Sequence, residues 1–150
     1  MQLNETKGYT LQNEAGIQYV SVPAFDQEGV LNCFSTRIGG ISKQPYESMN
    51  LSLTRPSAYS EDVLQNYTLL CNALGIRKEQ VVIVNYCHGD GIAIVDESNC
   101  GNGLLFENRL PPCDALITNK CKVALAKGMQ NSHDSDNSIV GMLDTVIVRI

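Results

Sequence analysis

Tryptophan is absent from this 150-residue chain, and histidine occurs only twice. Two imidazoles cannot by themselves fill the three or four ligand positions of a zinc site. Positive charge is also scarce: 11 Lys and Arg against 16 Asp and Glu leave a net charge of −5. That balance argues against nucleic acid or an anionic membrane as a partner. It leaves room for a phosphate-bearing small molecule, which needs only one local cation. No stretch approaches the roughly 20 apolar residues of a membrane span. The opening "MQLNETKGYTLQNEAG" has no basic start followed by an apolar core. No signal peptide is read there, and a cytoplasmic location is expected. The six cysteines, at 33, 71, 87, 100, 113 and 121, include no C-x-x-C pair. Without a secretory signal they read as free thiols rather than a disulfide frame.

What is present is an ordinary globular composition, 43% apolar and 18% charged, at a length that suits one domain with a real core. Residues 8–22 read as a hairpin turning at Asn13-Glu14-Ala15-Gly16. "GVLNCFSTR" (29–37) is the next strand, and Gly39-Gly40 opens a polar loop that runs to Asn50. "NLSLT" (50–54) alternates like a further strand. A helix is expected over 61–74, where Ser60 is a suitable N-cap and Glu61 and Asp62 favour the positive end of the helix dipole. Val63, Tyr67, Leu70, Cys71 and Leu74 give it one apolar face, and Gly75 suits the position after it. Four short strand candidates follow: "VVIV" (81–84), "IAIV" (92–95), "ALIT" (115–118) and "KVALA" (122–126). Residues 97–113 form a long connection rich in Gly, Asn and Pro. After Ala126 the chain changes character, with a polar cluster "NSHDSDNS" and an apolar end "IVGMLDTVIVRI". Many short strands and one clear helix predict a mixed, strand-rich α/β fold.

Few residues carry obvious chemistry. In "FSTRIGGIS" (34–42), Arg37 ends a strand just before two glycines. Its planar fork suits a phosphate or carboxylate, although a tight turn with a solvated arginine is the plainer account. In "VNYCHGDG" (84–91), His88 lies between two strands. An imidazole there suits a metal or a base role, but one histidine is not a site. Cys87 is adjacent, and neighbours on an extended chain point to opposite sides, which speaks against a Cys–His dyad. Asp114, at the head of "DALIT", either orients a histidine or merely starts a turn. His133, with Asp134 and Asp136 nearby, reads as solvated loop, with a weak cation site as the alternative.

Taken together, "FSTRIGGISKQPYESMNLSLTR" (34–55), "QNYTLLCNALGI" (65–76), the His-Gly after "VVIV", and "DALIT" resemble the laccase-domain proteins. These bacterial "polyphenol oxidase" proteins are regarded as purine nucleoside phosphorylases. The similarity runs from about residue 15 to 126. It implies layered sheets flanked by helices and a metal-dependent enzyme. The family cleaves adenosine, inosine and methylthioadenosine with phosphate, releasing the base and ribose 1-phosphate, and also deaminates adenosine. Its metal, zinc with copper as the alternative, is held by two histidines and a cysteine. His88-Gly89 matches the second half of the family's Gln-x-His-Gly motif, so His88 is the implied catalytic metal ligand, with Tyr86 at the Gln position. Arg37 matches its Ser-Thr-Arg and Asn50 its Asn-Leu, both implied substrate-binding residues.

The match then fails. The family's cysteine, in Ala-Asp-Cys, falls eighteen positions after Asp114, at Ser132, with Asn131 at the Asp position. The second histidine belongs to His-x-Gly-Trp-Arg-Gly, and this chain has no tryptophan. A site rebuilt from Cys113 or Cys121 with His88 and His133 is the remaining possibility. The expectation is therefore residues 1–150 as a single partial domain, the N-terminal half of the family fold, with a diverged tail over 126–150. Unpartnered strands and apolar faces are expected to favour self-association or a complementing chain. Three functions follow: an impaired purine nucleoside phosphorylase, an inactive remnant that binds a nucleoside or partner chain, or a cysteine-dependent hydrolase built on Cys87 or Cys113.

Overall fold

Two residues with positive φ close the first hairpin. Ala15 and Gly16 have φ of +52° and +85°, the twist a two-residue turn between strands requires. The Asn13 side chain accepts from the Gly16 amide at 3.2 Å. Strands β1 (Thr10–Glu14) and β2 (Ile17–Ser21) pair antiparallel across this turn. A short helical turn, α1 (Pro23–Asp26), leads to β3 (Val30–Ser35). The buried Asn32 ties that crossover down, accepting from the Val22 amide at 2.7 Å and donating to the Val22 carbonyl at 3.1 Å. The computed structural model describes residues 8–53, 61–128 and 144–149, so Ser60, the expected cap, lies outside the described residues.

Helix α2 (Glu61–Ala73) buries Val63, Tyr67, Leu70 and Cys71, the face its sequence periodicity predicts. Gly75 follows with φ +70°. The remaining strands are β4 (Val81–Ile83), β5 (Ile92–Ile94), β6 (Ala115–Ile117), β7 (Ala124–Gly128) and β8 (Asp144–Arg149). They form a six-stranded sheet in the order β1-β2-β3-β8-β7-β4 and a two-stranded parallel sheet, β5-β6. Strand alternation sends side chains of β4 and β7 to opposite faces. Val81, Ala124 and Ala126 meet α2, Leu51 and Leu104 on one face. Val82, Val84 and Val123 meet Ala93, Val95 and Cys113 on the other. The result is three layers: helix, large sheet, small sheet. No helix among the described residues is long and apolar enough to cross a membrane.

One expectation needs correction. Residues 50–53 are not a strand. Asn50 Oδ1 accepts from the Ser52 amide at 3.0 Å, closing a local turn, and Leu51 and Ser52 are both buried, so the apparent alternation does not sort faces. The apolar end of the tail also enters the sheet: β8 sits between β3 and β7, paired antiparallel to both. Its β-branched run "TVIV" fits a strand between two neighbours.

Candidate functional site

Strand direction decides where loops emerge. β7 is parallel to β4 and antiparallel to β8, and β8 is antiparallel to β3. Hence β3, β7 and β4 run the same way, and their C-terminal ends share one edge of the sheet. Arg37 follows β3, His88 follows β4, and the chain leaves β7 at the same edge. In open α/β sheets ligands bind beyond the carboxyl ends of strands. Three strand spacings of about 4.8 Å separate β3 from β4, so the two loops begin roughly 14 Å apart along that edge.

The Arg37 loop is held by a residue that carries no local signal of such a role. Asn66 of α2 is fully buried. Its amide nitrogen donates to Ser42 Oγ at 2.9 Å, the Asn50 carbonyl at 3.0 Å and the Ser48 carbonyl at 3.2 Å, and its oxygen accepts from the Ile41 amide at 2.8 Å. The Arg37 carbonyl accepts from the Ser48 and Met49 amides, both at 3.0 Å. Gly40 lies against Ser48 and Met49 so closely that a Cβ would drive into the Ser48 carbonyl. The Gly-Gly of the motif is thus a packing requirement. Arg37 itself is exposed, and the acceptor oxygen of Asn50 is committed to its own turn.

The second loop gathers Tyr86, Cys87, His88 and Asp114. The backbone at His88 is not extended: its φ is +58°. The reasoning from alternate sides of an extended chain therefore does not apply there. Asp114 makes its side-chain hydrogen bonds to the two neighbours of His88 rather than to the imidazole ring itself. Its Oδ2 accepts from the Gly89 amide at 2.7 Å and from the Cys87 thiol at 3.2 Å. Its Oδ1 is buried without a hydrogen-bond partner among the described residues. The His88 ring instead meets the Tyr86 ring edge-on, centroids 4.4 Å apart. Lys127 of β7, also unforeseen, places its ammonium 4.5 Å from the Tyr86 ring centroid and donates to the Asp114 carbonyl at 3.2 Å. A lysine one residue before a strand end carries no sequence signal for such a role.

Electrostatics follow from these contacts. Burial pushes the Asp114 carboxyl up, but the Cys87 and Gly89 hydrogen bonds, with the His88 and Cys87 amides facing it, outweigh burial and hold it below the usual value. The same hydrogen bond is the main reason the Cys87 thiol is raised, with desolvation adding to it. Cys113 is buried and Cys121 exposed. Among the described residues no three His, Cys, Asp or Glu side chains converge to hold a metal ion. Ser132, His133, Asp134 and Asp136 lie outside the described residues. The described donors therefore do not fit the three-ligand centre that the resemblance implies.

A layered, strand-rich α/β domain with loops gathered at one sheet edge is the class this structure defines. It resembles YlmD from Geobacillus stearothermophilus with a TM-score of 0.64 and 28% identity, over 79% of this chain and 44% of that one. It also resembles hypothetical protein YfiH from Bacillus licheniformis, with a TM-score of 0.69 over 91% of this chain and 50% of that one. At 20% identity, the second likeness is one of fold. Residues 31–129 match the model of the multi-copper polyphenol oxidoreductase laccase family, and the chain belongs to that family.

Relatives include a purine nucleoside phosphorylase of Corynebacterium glutamicum, 31% identical over 97 residues, covering 65% of this chain and 37% of the relative. Another, from Streptomyces coelicolor, is 33% identical over 96 residues, covering 62% and 36%. The purine nucleoside phosphorylase YlmD is 33% identical over 99 residues, covering 65% and 36%. The match thus spans little more than a third of these relatives' length.

Proposed function

We propose that this chain supplies the nucleoside- and phosphate-facing strand ends of a purine nucleoside phosphorylase, with adenosine, inosine and methylthioadenosine as its substrate class. The observation that carries this reading is the shared direction of β3, β7 and β4, which gives the Arg37 and His88 loops a common edge. The names of the relatives support it. In phosphorolysis a phosphate oxygen bonds to the ribose anomeric carbon as the glycosidic C–N bond breaks. The bonding pair leaves with the purine, which takes up a proton. The exposed guanidinium of Arg37 is suited to hold the phosphate. The exposed imidazole of His88 is suited to face the base and share a proton with it. Asn50 shapes the Arg37 loop, and of its side chain only the amide nitrogen is left to reach a ligand. The zinc or copper implied by resemblance has no ligand set among the described residues, so no step is drawn through it. Deamination of adenosine belongs to the same reading. Residues 1–150 are read as one unit of the family domain, and a second copy or a complementing chain is proposed as its partner.

The test is hypoxanthine release from inosine with and without phosphate, run beside metal analysis of the dialysed protein and of His88→Ala. Phosphate-dependent release that falls at least tenfold in His88→Ala supports the reading. Inosine formed from adenosine without phosphate would extend it to deamination. Among the described residues no ligand set converges around His88, and the second reading is a nucleoside-binding remnant without turnover. Saturable inosine binding with no product at any phosphate concentration would establish that one instead. The cysteine-hydrolase reading has little geometric support: Cys113 is buried, and the Cys87 thiol is bonded to a carboxylate that discourages its ionisation.

A further inference from the structure

Asp114 is a fixed point. Its own amide and that of Ala115 donate to the Gly91 carbonyl at 2.8 and 3.3 Å, and its carbonyl accepts from Lys127 at 3.2 Å. The preceding Cys113 amide donates to the Asn85 carbonyl at 2.9 Å, while the Asn85 side chain donates to the Leu110 carbonyl at 2.8 Å. The backbone on either side of the His88 loop is therefore pinned to the strand that carries Asp114. From that anchor the carboxylate reaches back to the residues immediately before and after His88, Cys87 and Gly89. His88, between them, has a left-handed backbone that residues with a Cβ avoid. Such strain persists only where the surroundings over-determine it, and it concentrates at functional sites.

We infer that Asp114 is a positioning residue for His88: its carboxylate grips both neighbours of His88 and holds the intervening backbone left-handed, with the imidazole against Tyr86. The functional part of this inference rests on the reading above that His88 faces a nucleoside. Two hydrogen bonds to one carboxylate oxygen, one from each neighbour of His88, are together suited to outweigh the modest penalty of one left-handed residue. Lys127 completes the clamp from the other side. It fixes the Asp114 main chain and lies over the Tyr86 ring that the imidazole touches. The position of His88 is thereby tied to the end of β7 as well as to β4.

The experiment is NMR on the full chain, comparing wild type with Asp114→Ala and Asp114→Asn. Two signals are followed: exchange of the Gly89 amide, and the His88 ring resonances, which Tyr86 shifts by ring current. Asp114→Ala is expected to speed Gly89 exchange about tenfold and to move the His88 resonances toward unstructured values, with the β1–β3 amides unchanged. Asp114→Asn keeps an acceptor oxygen and should retain both signals. If Asp114→Ala does not fold, the asparagine variant decides: retention of both signals supports the clamp, and their loss in a folded protein overturns it. Unchanged signals in a folded Asp114→Ala overturn it as well. Inosine titration with phosphate separates the two readings. Wild-type His88 resonances should respond to inosine, with affinity about tenfold weaker in Asp114→Ala. No response in wild type would remove the nucleoside reading while leaving the clamp to be judged on Gly89 and His88.

Discussion

At position 88 the usual ranking of alanine over glycine should invert. In regular structure glycine is the worse residue because it has more backbone freedom to lose. With φ at +58°, however, any Cβ meets the following carbonyl at a cost of roughly 1–2 kcal/mol. His88→Ala and His88→Gly both remove the ring contact with Tyr86, so their difference isolates the backbone. We expect the glycine variant to be more stable than the alanine variant by about 1 kcal/mol, or about 3 °C in melting temperature. Denaturation midpoints in the opposite order would show that the backbone at 88 is not left-handed in solution. Asn66 is the other residue whose environment dictates a large effect. Replacing it by alanine removes the partner of the Ile41 amide, the Ser42 hydroxyl and the Asn50 carbonyl, and leaves the Ser48 carbonyl with only the Ser42 amide. The expected loss is about 2–4 kcal/mol by urea denaturation.

Among the elements, the long connection between β5 and β6 is better ordered than its composition suggests. Asn102 and Asn108 bond to each other at 2.8 Å, Asn108 donates to the Ile83 carbonyl at 2.9 Å, and Asn102 accepts from the Arg109 amide at 2.8 Å. Gly103, at φ +77°, lies against Ile83 and Asn108, where a Cβ would come within 2.8 Å of the Ile83 side chain. At the start of this connection Asp96 caps a 3-10 turn over Glu97–Asn99, accepting from the Ser98 hydroxyl at 2.6 Å and its amide at 2.8 Å. The Ser98 side chain and then its amide hold the Asp96 carboxyl below the ordinary value of 3.8. A depressed folded value means the cap stabilises above the unfolded value and is lost as pH falls through the folded one. The stability advantage of wild type over Asp96→Ala should therefore be constant near neutrality and shrink below about pH 4. Melts that show a pH-independent difference down to pH 3 would contradict an ionised cap.

For the molecule as a whole, the two-stranded sheet is the exposed liability. Ile92, Ile94 and Ile117 are 60%, 84% and 51% exposed. The register pairs Ile92 with Ala115 and Ile94 with Ile117, so all four share one outward face. Parallel sheets are ordinarily covered on both faces, and contiguous exposed apolar surface promotes association. Wild-type protein should show concentration-dependent association by sedimentation velocity, and Ile94→Lys should reduce it without lowering the melting temperature. A wild-type chain that stays monomeric across the concentration range would remove that expectation.

Much of this protein was legible in one dimension. The hairpin, the α2 face, the β4–β7 strands and the family itself follow from local signals: turn residues that tolerate positive φ, apolar residues at helical spacing, short β-branched runs, and the motif around Arg37 and His88. Local preference does not reveal partners. The tail strand reads as an apolar afterthought because its place between β3 and β7 is a long-range pairing. The strand expected at 50–54 is absent over its described residues, because the Asn50 side chain closed a turn that alternation cannot register. Asn66, Lys127 and the true target of Asp114 were invisible for the same reason: each reaches groups distant in sequence. Residue identities alone determined which groups are able to bind phosphate, share a proton or pack a core. Tertiary structure alone decided that Arg37 and His88 emerge at one edge and that Asp114 grips the His88 backbone, because strand direction and hydrogen-bond geometry exist only once the chain has folded.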